Sequence, residues 1–166
     1  MRSTKAKKGS KTFSLRSTAL TPFLLILIPF LLIWLSAAAS PPESDHRELV
    51  TLPPMMQQHM LGNMRDHLLA IAQIQEALAD DRLDEAAKIA EERIGLSSLQ
   101  AHGAAHMAPY MPERMQTIGT QMHRAASELA LAAQEASVDG ELAPVLRSLS
   151  KVTRQCIACH AAYRIH

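Results

Sequence analysis

Two cysteines and a histidine near the C-terminus form the most constraining pattern of this chain. Cys156, Cys159 and His160 have the spacing C-x-x-C-H, and the sequence contains no other cysteine. On a helix these positions are i, i+3 and i+4, so the three side chains share one face. This is the attachment signal for c-type haem, in which each thiol forms a thioether with a vinyl group and the histidine ligates the iron. The sequence therefore predicts one covalently attached haem c, with His160 as the proximal iron ligand.

Two other uses of a C-x-x-C pair are weaker in this sequence. A thiol–disulfide redox centre is expected in a βαβ context, which the apolar pattern of this chain does not indicate. A zinc site needs a second C-x-x-C or an H-x-x-x-H pair, and no such half-site is clearly placed. Haem attachment is therefore the favoured interpretation of the motif.

Residues 1–39 have the layout of a secretory signal peptide. Residues 1–18 contain six lysines and arginines and no acid, residues 23–35 are apolar, and small residues follow up to Ala39. The apolar run of 13 residues is short for a membrane-spanning helix, which needs about 20. We expect cleavage near Ala39 and a periplasmic protein, in a compartment that suits haem attachment. An uncleaved leader is the alternative, and it would anchor the protein in the inner membrane.

The charge of the chain changes once this leader is set apart. All sixteen acids lie after residue 40, together with eleven of the seventeen lysines and arginines, which gives the remainder a net charge of −5. A mildly acidic exported domain does not favour nucleic-acid binding. The same part is rich in Ala, Leu, Met, Glu and Gln, which favours helices.

A polar linker is predicted over residues 40–53, followed by an all-α domain over residues 54–166. Four helices are expected, in an antiparallel four-helix bundle. Their predicted limits are Pro54 to Asp80-Asp81-Arg82, Leu83 to about Gly95, Pro112-Glu113 to Asp139-Gly140, and Leu142 to the haem motif. Glycines and prolines make residues 95–112 irregular.

Each long predicted helix carries an apolar stripe at three- and four-residue steps. The first stripe is Met56, Met60, Met64, Leu68, Ile71, Ile74 and Leu78. The third helix has Met115, Ile118, Met122, Ala125, Leu129, Ala132 and Ala136, and the last has Leu142, Val145, Leu146, Leu149, Val152, Cys156, Cys159, His160 and Tyr163. The last stripe runs into the motif, so we expect the haem to lie against the bundle core.

These features resemble the cytochrome c′ family, the class II c-type cytochromes. The motif match is confined to residues 156–164, where C-x-x-C-H is followed by Tyr163 and Arg164 at the family's aromatic and basic positions. In architecture the resemblance covers the whole mature chain, and Asp84-Glu85-Ala86-Ala87 is also similar to family members. It implies thioethers at Cys156 and Cys159, His160 as proximal ligand, and Arg164 near the haem or a propionate.

The resemblance also implies that the first predicted helix covers the opposite face of the haem. In the family, an apolar residue there leaves five-coordinate iron that binds NO or CO, whereas a methionine gives a six-coordinate electron-transfer centre. Met64 lies closest to the family's distal position and Met60 lies one turn earlier, although a methionine stripe is by default flexible core. We expect electron transfer with Met64 as distal ligand, Met60 as its alternative, and gas binding as the rival function.

Histidines leave two further interpretations open. His59 and His67 flank the methionine stripe, so bis-histidine iron is an alternative ligation. His102 and His106 form an i, i+4 pair beside two methionines, and the segment from Met55 to Met60 also combines thioethers with an imidazole. Such ligands suit Cu(I), and a periplasmic copper-binding protein is the minor alternative.

No catalytic constellation is recognisable, so the chain is not predicted to be an enzyme. Persuasive Ser-His-Asp or paired-carboxylate spacings and a glycine-rich phosphate loop are absent from the sequence. The expected partners are periplasmic redox proteins. Family members are often dimers through their first two helices, so the resemblance implies a homodimer. Membrane contact is expected only with a retained leader.

Overall fold

The structure, a computed structural model, describes residues 45–166. The predicted signal peptide and the beginning of the predicted linker lie outside the described residues. Within the described part of the chain, no helix is both long enough and apolar enough to cross a membrane.

Helices account for most of the described residues, and the all-α prediction is confirmed. The described residues form five α-helices: α1 (Pro54–Ala79), α2 (Leu83–Ile89), α3 (Ala104–Met107), α4 (Glu113–Asp139) and α5 (Leu142–Ala162). A π-helical turn (Ala90–Ile94) continues α2, and 3-10 turns (Leu96–Leu99 and Ala108–Tyr110) flank α3. Two short strands, β1 (Glu48–Leu49) and β2 (Tyr163–Arg164), stand at the two ends of the described chain.

The main helix boundaries follow local sequence signals. α1 begins at Pro54, where the missing backbone N–H of proline costs no helical hydrogen bond. It ends before Asp81, which has a positive φ of 57° and turns the chain into α2. α4 begins after Pro112 and ends at Gly140, whose φ of 78° lies in the left-handed region that glycine adopts without strain.

The bundle core is a single cluster of buried apolar side chains contributed by α1, α2 with its π-helical turn, α4 and α5. Its members include Ile74 of α1, Ile94 of the π-helical turn, Leu129 of α4 and Val152 of α5, and each of these side chains is fully buried. Many of the other members are alanines, which allow the helices to approach closely. This packing is compatible with the predicted helical bundle.

The predicted stripes agree with the observed buried faces to different degrees. Every predicted position of the α4 stripe is buried. In α1, however, Leu68 is 69% exposed, and the buried face passes instead through His67 and Ala70. In α5, Leu142 and Leu146 are also exposed, at 39% and 56%. The prediction was wrong at these positions because a stripe at mixed three- and four-residue steps does not specify which of two adjacent residues faces the core.

A second group of apolar side chains, the methionine cluster, lies beside the bundle core. It contains the buried residues Val50, Leu52, Met60, Met107, Met115, Ile118 and Tyr163, with Met56, Met64, Met111, Cys159, Ala162 and Ile165 packed against them. Methionine fills irregular spaces well because its side chain is unbranched and flexible. The cluster brings one end of α1, the segment around α3, the start of α4 and the C-terminal end of α5 together.

A short parallel strand pair joins the two ends of the described chain. Glu48 pairs with Tyr163 and Leu49 with Arg164, and the backbone N–H of Val50 donates to the carbonyl of Arg164 at 2.8 Å. Val50 and Leu52 are buried. This part of the predicted polar linker is therefore packed against the residues that follow the C-x-x-C-H motif.

Candidate functional site

A cavity of about 440 Å³ opens between α1, the segment around α3, α4 and the C-terminal end of α5. Six methionines line it: Met60, Met64, Met107, Met111, Met115 and Met122. They make much of the wall apolar. The polar side chains at the wall include two motif residues, two arginines and a group of three histidines, together with Asn63, Gln116, Thr120 and His166.

The C-x-x-C-H motif lies on α5 with two of its three residues at the cavity. Cys159 is half-buried, packs against the methionine cluster and lines the cavity, as does the exposed His160. Cys156 lies one turn earlier, packs against the bundle core, and its thiol donates to the carbonyl of Val152 at 3.6 Å. Both thiols are free.

Burial raises the pKa of both thiols. For Cys156 the cause is desolvation, and for Cys159 it is desolvation together with the negative charge that Cys156 carries when ionised. Nucleophilic cysteines of redox C-x-x-C centres have lowered pKa values instead. The arrangement therefore disfavours a thiol–disulfide redox centre.

The two methionines that the sequence singles out as iron ligands both line this cavity. Met60 is buried and Met64 is partly buried, and both belong to the methionine cluster with Cys159. α1 and α5 lie far apart in the sequence, near opposite ends of the described residues. The fold nevertheless brings these thioethers to the same cavity as Cys159 and His160.

Two arginines contribute positive charge to the cavity wall. Arg164 lies in β2, directly after the buried Tyr163, and Arg47 lies just before β1. The guanidinium of Arg47 donates to the backbone carbonyl of His160 at 3.3 Å. Sequence reasoning found Arg164 but missed Arg47, because no local signal distinguishes an arginine in a polar segment that pairs with a distant strand.

Three histidines from three different segments meet at the same cavity. His67 of α1, His102 from the turn before α3 and His123 of α4 have ring nitrogens within 4.8 Å of one another. Nε2 of His67 lies 3.3 Å from Nδ1 of His102. His67 and His123 are buried, and His102 is partly buried. We call these three residues the histidine cluster.

Polar groups of the chain surround the histidine cluster. The Ser98 hydroxyl donates to the Gly95 carbonyl at 2.7 Å and lies 3.3 Å from Nδ1 of both His102 and His123. Nδ1 of His123 also lies 2.9 Å from the carbonyl oxygen of Ile94. A side chain–carbonyl contact of this kind fixes the ring and its tautomer, because only a protonated Nδ1 can donate to the carbonyl.

The surroundings lower the pKa of all three histidines. Burial, with the positive charges that His102 and His123 carry when protonated, lowers the pKa of His67 from 6.5 to about 4. Burial is also the main cause for His102 and His123, with the charge of His123 as a second cause for His102. The cluster is therefore neutral at pH 7, and each ring offers a nitrogen lone pair.

The two histidines of the H-x-x-x-H pair, named in the sequence as an alternative metal site, have different surroundings. His102 belongs to the histidine cluster, whereas His106 is exposed and is not part of it. His59 contacts the backbone carbonyl of His102 through Nε2 at 2.8 Å, and Met55 is 80% exposed. Of the residues that the sequence named for Cu(I), His106 and Met55 are therefore exposed, whereas His102 belongs to the histidine cluster. An i, i+4 pair shares one face only when both residues lie in the same helix. Here the single turn of α-helix begins at Ala104, after His102.

Comparisons of the chain with protein-family models, with curated proteins and with solved structures find no match.

Proposed function

We propose that this protein is a periplasmic c-type haem protein that transfers electrons. The observation that supports this most directly is the cavity shared by Cys159 and His160 of α5 with Met60 and Met64 of α1. The C-x-x-C-H spacing is the attachment signal for c-type haem. Candidate ligands for both faces of the iron thus border one apolar cavity.

The cavity fits the size and character of a cofactor site. Its volume of about 440 Å³ falls within the roughly 300–1,000 Å³ typical of such sites, which are mostly apolar with a few convergent polar groups. Six methionines provide the apolar wall. Cys156 lies on the same helix one turn before Cys159 and offers the second thiol.

The motif residues, the α1 methionines and Arg47 each have a proposed role. Cys156 and Cys159 hold the macrocycle, His160 is the proximal ligand, and Met64, or Met60 one turn earlier, is the distal ligand. When bound, a haem with Met/His ligation supplies one-electron chemistry at a raised potential. Arg47 is hydrogen-bonded to the backbone of His160 and helps to orient the end of α5.

The two cavity arginines suit the propionate groups of a haem. Guanidinium groups bind carboxylates with paired, charge-assisted hydrogen bonds. Arg164 and Arg47 both border the cavity, and both lie beside residues of the β1–β2 pair, which fixes their backbones. We assign them to the propionate side of the cofactor.

Export completes the proposal. The basic, apolar and small-residue order of residues 1–39 is typical of a signal peptide, and haem of this type is attached outside the cytoplasm. The resemblance to cytochromes c′ is consistent with this, and the partners proposed from it are periplasmic redox proteins and a second copy of the chain. Retention of the leader would add an inner-membrane anchor.

The rival function differs only at the sixth iron position. Without a distal ligand, the same site would hold five-coordinate iron and bind NO or CO, as in typical cytochromes c′. His67 also lines the cavity, three residues after Met64, and would give bis-histidine iron. The methionines favour electron transfer because two of them on α1 border the cavity.

Optical and EPR spectra of the purified exported protein, oxidised and reduced, test this function. Low-spin iron with a sulfur-to-iron charge-transfer band supports an electron carrier. High-spin iron that takes up CO would replace electron transfer by gas binding. A protein without haem, despite co-expression of a haem-attachment system, would overturn the proposal.

The attachment residues are tested by the double variant Cys156→Ala/Cys159→Ala. We expect it to contain little covalent haem, because both thioethers are lost. Ile157→Ala is a matched control, since Ile157 lies between the two cysteines and is 64% exposed. Normal haem content in the double variant would contradict attachment at the motif.

A further inference from the structure

We propose that His67, His102 and His123 form a binding site for one divalent transition-metal ion of the zinc class. This site uses neither the three motif residues nor the α1 methionines, and it does not depend on the proposed electron-transfer function. Only the alternative bis-histidine ligation would share a residue with it, namely His67. Three features support a metal site here: the spacing of the ring nitrogens, the groups around the rings, and the chemistry of the donors.

The nitrogen spacing suits a tetrahedral metal. Zinc binds histidine nitrogen at about 2.0–2.1 Å, so two nitrogens of one tetrahedral site lie about 3.4 Å apart. Nε2 of His67 and Nδ1 of His102 are 3.3 Å apart, which already matches this separation. One nitrogen of His123 completes a group whose members lie within 4.8 Å, a distance that small ring rotations can close.

Backbone carbonyls at one nitrogen hold the His123 ring in place. Its Nδ1 lies 2.9 Å from the Ile94 carbonyl oxygen and 3.2 Å from that of Gly95. A proton on Nδ1 donates to the Ile94 carbonyl and leaves the lone pair on Nε2. Metal-bound histidines almost always donate their other nitrogen to a carbonyl, carboxylate or water in this way. The Ile94 carbonyl is available because it lies in the last turn of a helix.

The backbone of His102 is fixed against α1. Its carbonyl accepts a hydrogen bond from the Asn63 amide at 2.9 Å and contacts Nε2 of His59 at 2.8 Å. The following residue, Gly103, has a φ of 63°, which turns the chain sharply into α3. These contacts fix the His102 backbone beside α1, so only ring rotations are needed to bring the three nitrogens to one metal ion.

The donor set selects the class of metal. Imidazole nitrogen suits Zn²⁺, Cu²⁺ and Ni²⁺, whereas Ca²⁺ and Mg²⁺ prefer oxygen ligands. Three histidines leave a fourth position open for water or another ligand, and all three rings border the cavity. Asp66, next to His67, is paired with Arg93, so its carboxylate is already engaged and we do not include it among the ligands.

The test measures zinc binding by the full chain. The protein is expressed without a histidine tag, loaded with haem, dialysed against a chelator to remove bound metal, and then supplied with Zn²⁺. We expect one tightly bound Zn²⁺ per chain by elemental analysis. His67→Gln, His102→Gln and His123→Gln should each weaken binding by at least about 10-fold, because each removes a ligand. His106→Gln is the matched control, since His106 is exposed and close to His102 in the chain.

X-ray absorption at the zinc edge of the wild-type protein provides a readout that needs no variant. Three imidazoles in the first coordination shell support the site. Sulfur ligands, the absence of stoichiometric zinc, or zinc binding unaffected by His123→Gln in a folded variant would overturn it. Haem content is measured in the same samples, so haem-free protein that binds zinc removes the proposed function alone, and haem-loaded protein without zinc removes this site alone.

Discussion

Nε2 of His67 and Nδ1 of His102 lie 3.3 Å apart, although 35 positions separate the two residues in the chain. One residue lies in a long helix and the other in a turn before a short one. Both rings line the cavity that Cys159 and His160 also line. The cavity therefore combines a site recognisable from sequence with one that only the fold assembles.

The distal iron ligand can be identified by variants of the α1 methionines. We expect Met64→Ala to convert a low-spin spectrum into a high-spin one, because the thioether ligand is removed. The same change in Met60→Ala, with Met64→Ala unaffected, would assign the ligand one turn earlier. Met56→Ala is the matched control, because Met56 belongs to the methionine cluster but does not line the cavity.

The stability of the metal-free protein should fall as the pH is lowered from about 6.5 to about 4. The pKa of His67 is lowered to about 4 in the folded protein, whereas it is about 6.5 in an unfolded chain. Between these values only the unfolded state binds the proton, so unfolding becomes more favourable, and the loss is complete below pH 4. It amounts to roughly 3 kcal/mol.

Urea denaturation at a series of pH values, in the presence of a chelator, measures this dependence. His67→Leu removes one titrating ring and should make the curve shallower over that range, while the lowered pKa values of His102 and His123 retain part of the slope. The exposed His106 offers a control, and His106→Gln should leave the curve unchanged. A curve for His67→Leu as steep as that of the wild type would show that His67 titrates normally.

Gly103→Ala should destabilise the protein by about 1–2 kcal/mol, because the φ of 63° is unfavourable for a residue with a side chain. The added Cβ would also lie only 2.9 Å from Nε2 of His59. Gly62→Ala in α1 meets nothing within 4 Å and should stabilise the helix by up to about 1 kcal/mol. Urea denaturation of both variants checks the opposite signs, and equal effects would contradict the assigned backbone conformation.

Leu129→Ala should lower the free energy of unfolding by about 2–5 kcal/mol, because it leaves a cavity in a fully packed core. Leu129 is fully buried between the helices. Leu131 lies two residues later in the same helix and is 60% exposed, so Leu131→Ala should change stability by less than about 0.5 kcal/mol. Thermal or urea unfolding compares the two, and a small effect at Leu129 would place the core elsewhere.

The sequence by itself determined the features that depend on near neighbours in the chain. Proline at the start of α1, the acidic turn after it and the glycine after α4 limit the helices because each restricts or frees the local backbone. The α4 stripe is correct throughout, and alternatives at the same steps, such as Ala126 and Ala133, are buried as well, so the choice between neighbouring positions did not matter there. The C-x-x-C-H spacing likewise defines a face of α5 without reference to any other element.

Only the tertiary structure decided which distant residues meet. His67 rather than Leu68 is buried because the segment that contains Ser98 and His102 covers that side of α1. Arg47 reaches the backbone of His160 because a strand of two residues, too short for a recognisable sequence pattern, pairs with the chain after the motif. Local preferences act over a few residues, whereas the histidine cluster depends on packing between segments that are far apart in sequence.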